Sequence, residues 1–410
     1  MKHILYILIM IIPGSALSVA QSLEDYFAVA AENNPGLQAK YLEYEAALQN
    51  IPRVTGLPDP SFSFGYFISP VETRVGPQRA RFSLTQMFPW FGTLKAEGNV
   101  AALQAESLFQ SFIDEKNRLY YRVAGAWYSL FELYRWMDIE QENIEILESY
   151  KRQVTSKYRN GKGGMVDVLR VDNMINESLT SLEILEEKEK SLLTAFNSLL
   201  NRDAGEPVNV EGELSVDLSD PGYSVADITA GNPALRSLEL KIEAGKAGEE
   251  VARKRGLPGI GVGVDYVVTG ERTGVTMDEN GKDILMPMVS VTIPLWRKKY
   301  NAAIRSAQLL TESNALKKEE YTNFLETEYE TLISSITREE HLVRLYGEQI
   351  ENTEISVKLL LEAYSGSGKE FEEVLRMQQQ LLQYRKMRYS ALARYHTLLN
   401  KMNYITAKEY

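Results

Sequence analysis

Two stretches of this chain, from about Thr93 to Tyr158 and from about Lys298 to Tyr364, read as helix and contain no proline. At ~1.5 Å per residue, each can build a helix roughly 100 Å long. An ordinary globular helix has about 11–12 residues, so no compact domain can enclose either one. The chain must be elongated, with its long helices packed along one another. The first stretch carries a seam at a/d spacing: Leu130, Leu133, Met137, Ile144, Leu147, Val154 and Tyr158, interrupted by Glu140 and Lys151. Such spacing suits coiled-coil packing. Each stretch ends in a Gly-rich turn ("NGKGG" and "SGSGK") and leads into a return helix, Val166–Asn201 or Phe371–Asn403.

The same landmarks occur twice in one order. "GLPDPSFSFGY" at 56–66 is echoed by "GLPGIGVGVDY" at 256–266, and "NNPGLQAKYLEYEAAL" at 33–48 by "GNPALRSLELKIEAGK" at 231–246. "MFPWFGTLKAE" answers "TIPLWRKKYNA", "YRNGKGGMVDVLR" answers "YSGSGKEFEEVLR", and "FNSLLNR" answers "YHTLLNK". Landmarks in register on both halves indicate an internal repeat. Its units are 21–206 and 223–410, joined by a Gly-, Pro- and Asp-rich linker at 207–222 with room for one short strand. Each unit reads as a short helix (Leu23–Asn33; Val225–Ala230), then a second helix opening on Pro (Pro35–Val54; Pro233–Arg255). A β-hairpin follows (60–87; 259–293), with strands at 60–69 and 79–87, then 259–268 and 285–293, around a polar loop. The unit closes with a long helical hairpin (93–201; 298–403). Val168 to Leu199 spans 31 positions and Val374 to Leu398 spans 24, a difference of one heptad. The second return helix is therefore expected to be shorter without turning its apolar face away.

All four strands alternate. Phe62, Phe64 and Tyr66 oppose Ser61, Ser63 and Gly65; Phe82 and Leu84 oppose Arg81, Ser83 and Thr85. Val262, Val264 and Tyr266 oppose Gly261, Gly263 and Asp265; Val289 and Val291 oppose Ser290 and Thr292. Strands of about nine residues are near the ~9–11 that cross a bilayer when tilted. Apolar-out, polar-in alternation is the pattern of membrane barrels. Aromatics at the strand ends, Trp90 and Trp296 among them, suit an interfacial belt. A soluble hairpin with one face on a core would alternate in the same way, but the long helices and an N-terminal export signal favour the membrane. Four strands cannot close a barrel, whose smallest members have about eight, and an open edge in lipid leaves backbone groups unpaired. Such a barrel must be shared between chains, and three copies would supply twelve strands.

The export signal is "MKHILYILIMIIPGSALSVAQS", with a basic start, an apolar run from Ile4 to Ile12 and a small-x-small site ending at Ala20. Its apolar run is about half the ~20 residues of a spanning helix, and no Cys follows it for lipid attachment. The formal net charge of -11 argues against nucleic acid. The chain has no Cys and three His, one of them His3 in the signal, so a His/Cys metal site is hard to build. "GKGGMVD" lacks the P-loop spacing and has no strand leading into it. No catalytic, cofactor or metal residues are expected.

The duplication, the strand pairs, "QMFPWFGTLKAE" after the second strand, and the turn-helix segments "GMVDVLR" and "EFEEVLR" resemble the TolC family of outer-membrane efflux ducts over essentially the whole exported chain. The resemblance implies a mainly α fold with a small β part. A homotrimer would form a 12-stranded β-barrel in outer-membrane lipid and a 12-helix coiled-coil α-barrel across the periplasm. It further implies passive export for a periplasmic adaptor and an inner-membrane pump of the RND type. A type I secretion duct or a coiled-coil envelope scaffold are the alternatives. It places a gate at Glu373, with Arg376 where the family has a second acid and Glu370 and Glu372 as possible substitutes. A latch would join Asp167, Tyr364 and Lys369. Adaptor-contact tips fall at Gly161, Lys162, Gly163, Gly366 and Gly368. On a helix Glu370 lies near Glu373, whereas Glu372 points elsewhere. The alternation assigns to lipid the apolar strand residues named above, and the strand-end position puts Trp90 and Trp296 in the belt.

Overall fold

The computed structural model describes residues 22–210, 212–216, 224–274, 276–367 and 370–408. The export signal, Gly368 and Lys369 lie outside them. The elements run α1 (Leu23–Asn33), α2 (Pro35–Thr55), β1 (Ser61–Thr73), β2 (Gly76–Phe88), α3 (Thr93–Arg159) and α4 (Met165–Leu200). The order then recurs as α5 (Val225–Gly231), α6 (Pro233–Arg255), β3 (Gly259–Thr269), β4 (Ile284–Thr292), α7 (Arg297–Ser367) and α8 (Phe371–Thr406). The fold is mainly α with a small β part. At 67 and 71 residues, α3 and α7 span the molecule from the sheet to the far tip.

The helices form a layer of four columns. Near the sheet the order is α2, α3, α6, α7; toward the tip it is α4, α3, α8, α7. Two columns are thus continuous and two are stacked pairs. The Asn-Pro dipeptides make the stacking joints. Asn34 caps α2 by accepting from Leu37 N at 3.1 Å, and its amide donates to the Leu199 carbonyl at the end of α4 at 2.9 Å. Asn232 caps α6 through Leu235 N at 3.1 Å and donates to the Ile405 carbonyl of α8 at 3.0 Å. Each Asn satisfies orphan amides of one helix and an orphan carbonyl of another.

Around these joints lie two apolar clusters. One gathers Tyr26, Leu119, Trp127, Phe131 and Phe196; the other gathers Leu235, Leu325, Leu332, Tyr395 and Met402. The linker lies on the first: Val208 is buried in it, and Trp127 donates to the Asn209 carbonyl at 3.1 Å. No strand forms among the linker's described residues. A third cluster holds the tip.

The seam of α3 is buried at Leu130, Leu133, Leu147 and Val154, whereas Tyr158, in its last turn, is 46% exposed. Both seam interruptions carry partners. Glu140, 2% exposed, accepts from Lys386 of α8 and from Ser181 of α4, the latter at 2.7 Å. Lys151 pairs with Asp172 of α4 at 2.7 Å. The expected shortening of the second return helix is absent: α4 and α8 each have 36 residues. Helix α8 continues past Leu398 to Thr406 because Met402 and Ile405 still find an apolar cluster to enter.

The four strands form one antiparallel sheet in the order β1-β2-β3-β4. Strands β1 and β2 run 13 residues each and meet in a tight turn at Arg74-Val75, where a polar loop was expected. Pro70 falls in the register break between Tyr66 and Val71, as a residue without an N–H requires. No helix among the described residues is long and apolar enough to cross a membrane.

Candidate functional site

The sheet register sorts side chains into two faces. Phe64 pairs with Phe82, Phe82 with Tyr266, and Tyr266 with Leu285. One row along, Phe62, Leu84, Val264 and Pro287 follow one another. Val262 pairs with Val289, and Ile260 with Val291. Strand alternation puts all of these on one face. Phe62, Phe64, Tyr66, Leu84, Val262, Val264, Val289 and Val291 are exposed there, and Phe82 is half-covered between Phe62 and Phe64. Trp90 and Trp296, just beyond the ends of β2 and β4, are also exposed.

The opposite face is polar or glycine along most of β1, β2 and β3, with Met286 and Met288 of β4 beside Ser290 and Thr292. Asp265 is fully buried on it and accepts from Arg81 and Ser83 of β2. This joins the two hairpins across the central strand pair. A Cβ at Gly261 would meet Ser290 Oγ at 2.3 Å and Met87 Sδ at 2.6 Å, so a larger residue there would displace those two side chains. Strands β1 and β4 are the edges, and each has one neighbour.

At the other end, 160–164 turns α3 into α4. Gly161 has φ +66, which favours glycine. Gly163 and Lys162 share the turn, whereas Gly366 lies within the last turn of α7 and not in the second turn. Tyr364 is buried, its ring 4.7 Å from Phe371, among Tyr150, Val154, Val168 and Val374. Its hydroxyl has no partner among the described residues. Burial, with the charge of Asp167 second, raises its pKa.

Two residues that the sequence reading missed hold the tip. Lys157 sits 3.5 Å over the Tyr364 ring and donates to its carbonyl at 2.5 Å, tying α3 to α7. Arg170 of α4 pairs with Glu372 of α8 at 2.9 Å and reaches Asp167 at 3.8 Å. Glu372 therefore faces α4, while Glu370, Glu373 and Arg376 are exposed with no ion pair among the described residues. The available signals were weak: Arg170 stands three residues after Asp167, and Lys157 one turn before the glycines.

No family model matches this chain, and no curated protein matches it. Solved structures do. The outer membrane protein VceC of Vibrio cholerae superposes with a TM-score of 0.75 over 94% of this chain and 95% of its own, at 13% identity. The Campylobacter jejuni CmeC outer membrane channel gives 0.74 over 94% and 85%, at 12% identity. The open-state Neisseria gonorrhoeae MtrE outer membrane channel gives 0.72 over 94% and 88%, at 14% identity. The chain has the TolC-like fold. At such identities the likeness concerns the fold, and the arrangement of sheet, columns and tip described above is what the chain shares with those channels.

Proposed function

We propose that three copies of this chain form an outer-membrane exit duct that passively conducts substrates delivered from a periplasmic adaptor and an inner-membrane pump. The observation that carries this reading is the sheet: four strands, one exposed apolar face and two open edges. Such a sheet in lipid must close by pairing β1 of one copy with β4 of the next, since unpaired backbone groups in hydrocarbon cost several kcal/mol each. The helical layer supports the same closure. Its edge columns leave Leu309, Leu316 and Phe324 of α7, and Leu42 of α2 and Leu169 and Ile184 of α4, exposed. Apolar rows of this kind mark contact surfaces.

In this reading 1–20 is a cleaved signal, the two units arose by duplication, and the apolar sheet face meets lipid. The helical tip reaches into the periplasm. Its turns, with Gly161, Lys162 and Gly163, face the adaptor. Glu373 and Glu370 line a cation-favouring gate, and Tyr364, Asp167 and Lys369 latch it, with the pump of the RND type. The test is Phe64→Asp. A carboxylate on the lipid face should abolish heat-modifiable trimers in the outer-membrane fraction. Normal trimer levels in that variant would undo the assignment.

A further inference from the structure

The helix ends next to the sheet are basic. Residues 49–60, 89–99, 249–258 and 293–303 make up the two helical turns nearest the strands and their short connections. They hold eight cations and four acids, a formal charge of +4 in a chain whose total is -11. Three of the cations are already neutralised: Arg253 pairs with Glu249, Lys254 with Glu250 at 3.5 Å and Arg255 with Glu97 at 2.7 Å. The other five are Arg53, Lys95, Arg297, Lys298 and Lys299. All five are exposed, and none forms an ion pair among the described residues. Asp59 is the one acid left over.

The helix dipole accounts for only part of this excess. Cations suit the ends of α2 and α6, where the dipole is negative, and oppose the starts of α3 and α7, where it is positive. Yet α7 opens on Arg297, Lys298 and Lys299, α3 carries Lys95 in its first turn, and neither first turn has an acid. At the far tip the charges follow the dipole: Asp167 lies in the first turn of α4, Glu372 and Glu373 in that of α8, and Lys157 and Arg159 in the last turn of α3. A second copy would not neutralise the excess either. The edge columns at this level are α2 and α7, so closing a ring brings the basic end of one to the basic start of the other.

Aromatic side chains share the level of these cations. Trp90, Phe91 and Trp296 are all exposed there, the last two by 77% and 76%. A basic layer beside an aromatic one, at the edge of an apolar sheet face, matches the layered chemistry of a bilayer surface. We propose that Arg53, Lys95, Arg297, Lys298 and Lys299 form a collar that holds anionic phospholipid in the leaflet facing the helices. The lipid phosphates accept from these side chains, and the aromatic rings pack against the glycerol and upper acyl region. Net charge selects the lipid, because a zwitterionic headgroup brings a cation of its own into the collar. The proposal rests on the outer-membrane reading and adds to it the class of lipid bound.

The test is tryptophan quenching in the full chain reconstituted into equimolar phosphatidylglycerol and phosphatidylcholine, with brominated acyl chains on one lipid or on the other. Trp90 and Trp296 report on the collar, because Trp127 and Trp136 lie at least roughly 50 Å further along α3. Quenching should be stronger when phosphatidylglycerol carries the bromine, with a preference of about fivefold, the effect of one cation at a membrane surface. Raising the salt to ~1 M, where the Debye length is ~3 Å, should remove most of it. The combined variant Lys95→Gln, Lys298→Gln, Lys299→Gln should bring the two signals together at low salt. Lys358→Gln, an exposed position of α7 toward the tip, should leave the preference intact. Equal quenching by the two lipids in the wild type, or a preference that survives the combined variant, overturns the proposal while leaving the membrane reading in place; the collar then belongs to a soluble acidic partner. Absence of quenching by either lipid overturns the membrane reading and the proposal with it.

Discussion

Replacing Lys386 by Met tests whether the helical columns are held by specific buried charge. Glu140 is 2% exposed in the seam of α3. Its Oε1 accepts from Lys386 and from Ser181, and its Oε2 has no partner among the described residues. The stem of Lys386 runs beside Trp136, with Nζ 5.6 Å from the ring centroid, and its carbonyl accepts from the indole N–H at 3.2 Å. Lys386→Met keeps most of that apolar stem but strips the carboxylate of its counter-ion. Removing one partner of a buried pair costs about 3–5 kcal/mol, at least a hundredfold in the unfolding equilibrium. Replacing both partners is different: Glu140→Leu with Lys386→Met should recover most of the loss, because neither charge is then desolvated. Guanidinium melts followed by far-ultraviolet circular dichroism, on single and double variants, separate the terms. If Lys386→Met melts within about 0.5 kcal/mol of the wild type, or if the double variant is as weak as the single, the pair does not act as described.

Glu373→Ala should lower the cation preference of the duct in planar bilayers, read as the reversal potential in a salt gradient; an unchanged potential counts against the gate. Arg170→Gln removes a tie between α4 and α8 that is largely exposed. Its stability effect should stay below about 1 kcal/mol, while open-state conductance at low salt should rise, and wild type in high salt should imitate it. Burial pushes the Tyr128 hydroxyl up to about 12. Its contribution is therefore complete below the unfolded value near 10 and is lost as pH rises through about 12. Tyr128→Phe should flatten that alkaline limb by on the order of 2 kcal/mol in pH-dependent melts, and an unchanged limb would refute the assignment.

Much of this architecture was legible in the sequence because the features that specify it are local. Alternation with period two in β1–β4, proline-free runs in α3 and α7, and Asn-Pro before α2 and α6 act within a few residues of themselves. They sufficed for the long helices and the two-faced strands. The tertiary structure decided what those local rules leave free: the rotation of each column and the pairing of distant side chains. Glu140 and Lys386 are 246 residues apart, and Arg81 and Asp265 are 184 apart. From the sequence, Glu140 and Lys151 read as defects in a seam. In the fold they are its cross-links, because α4 and α8 turn Ser181, Asp172 and Lys386 toward them. The equal length of α4 and α8 and the facing of Glu372 toward Arg170 arise in the same way. Each depends on which surface a neighbouring column presents, and periodicity along one helix carries no information about that.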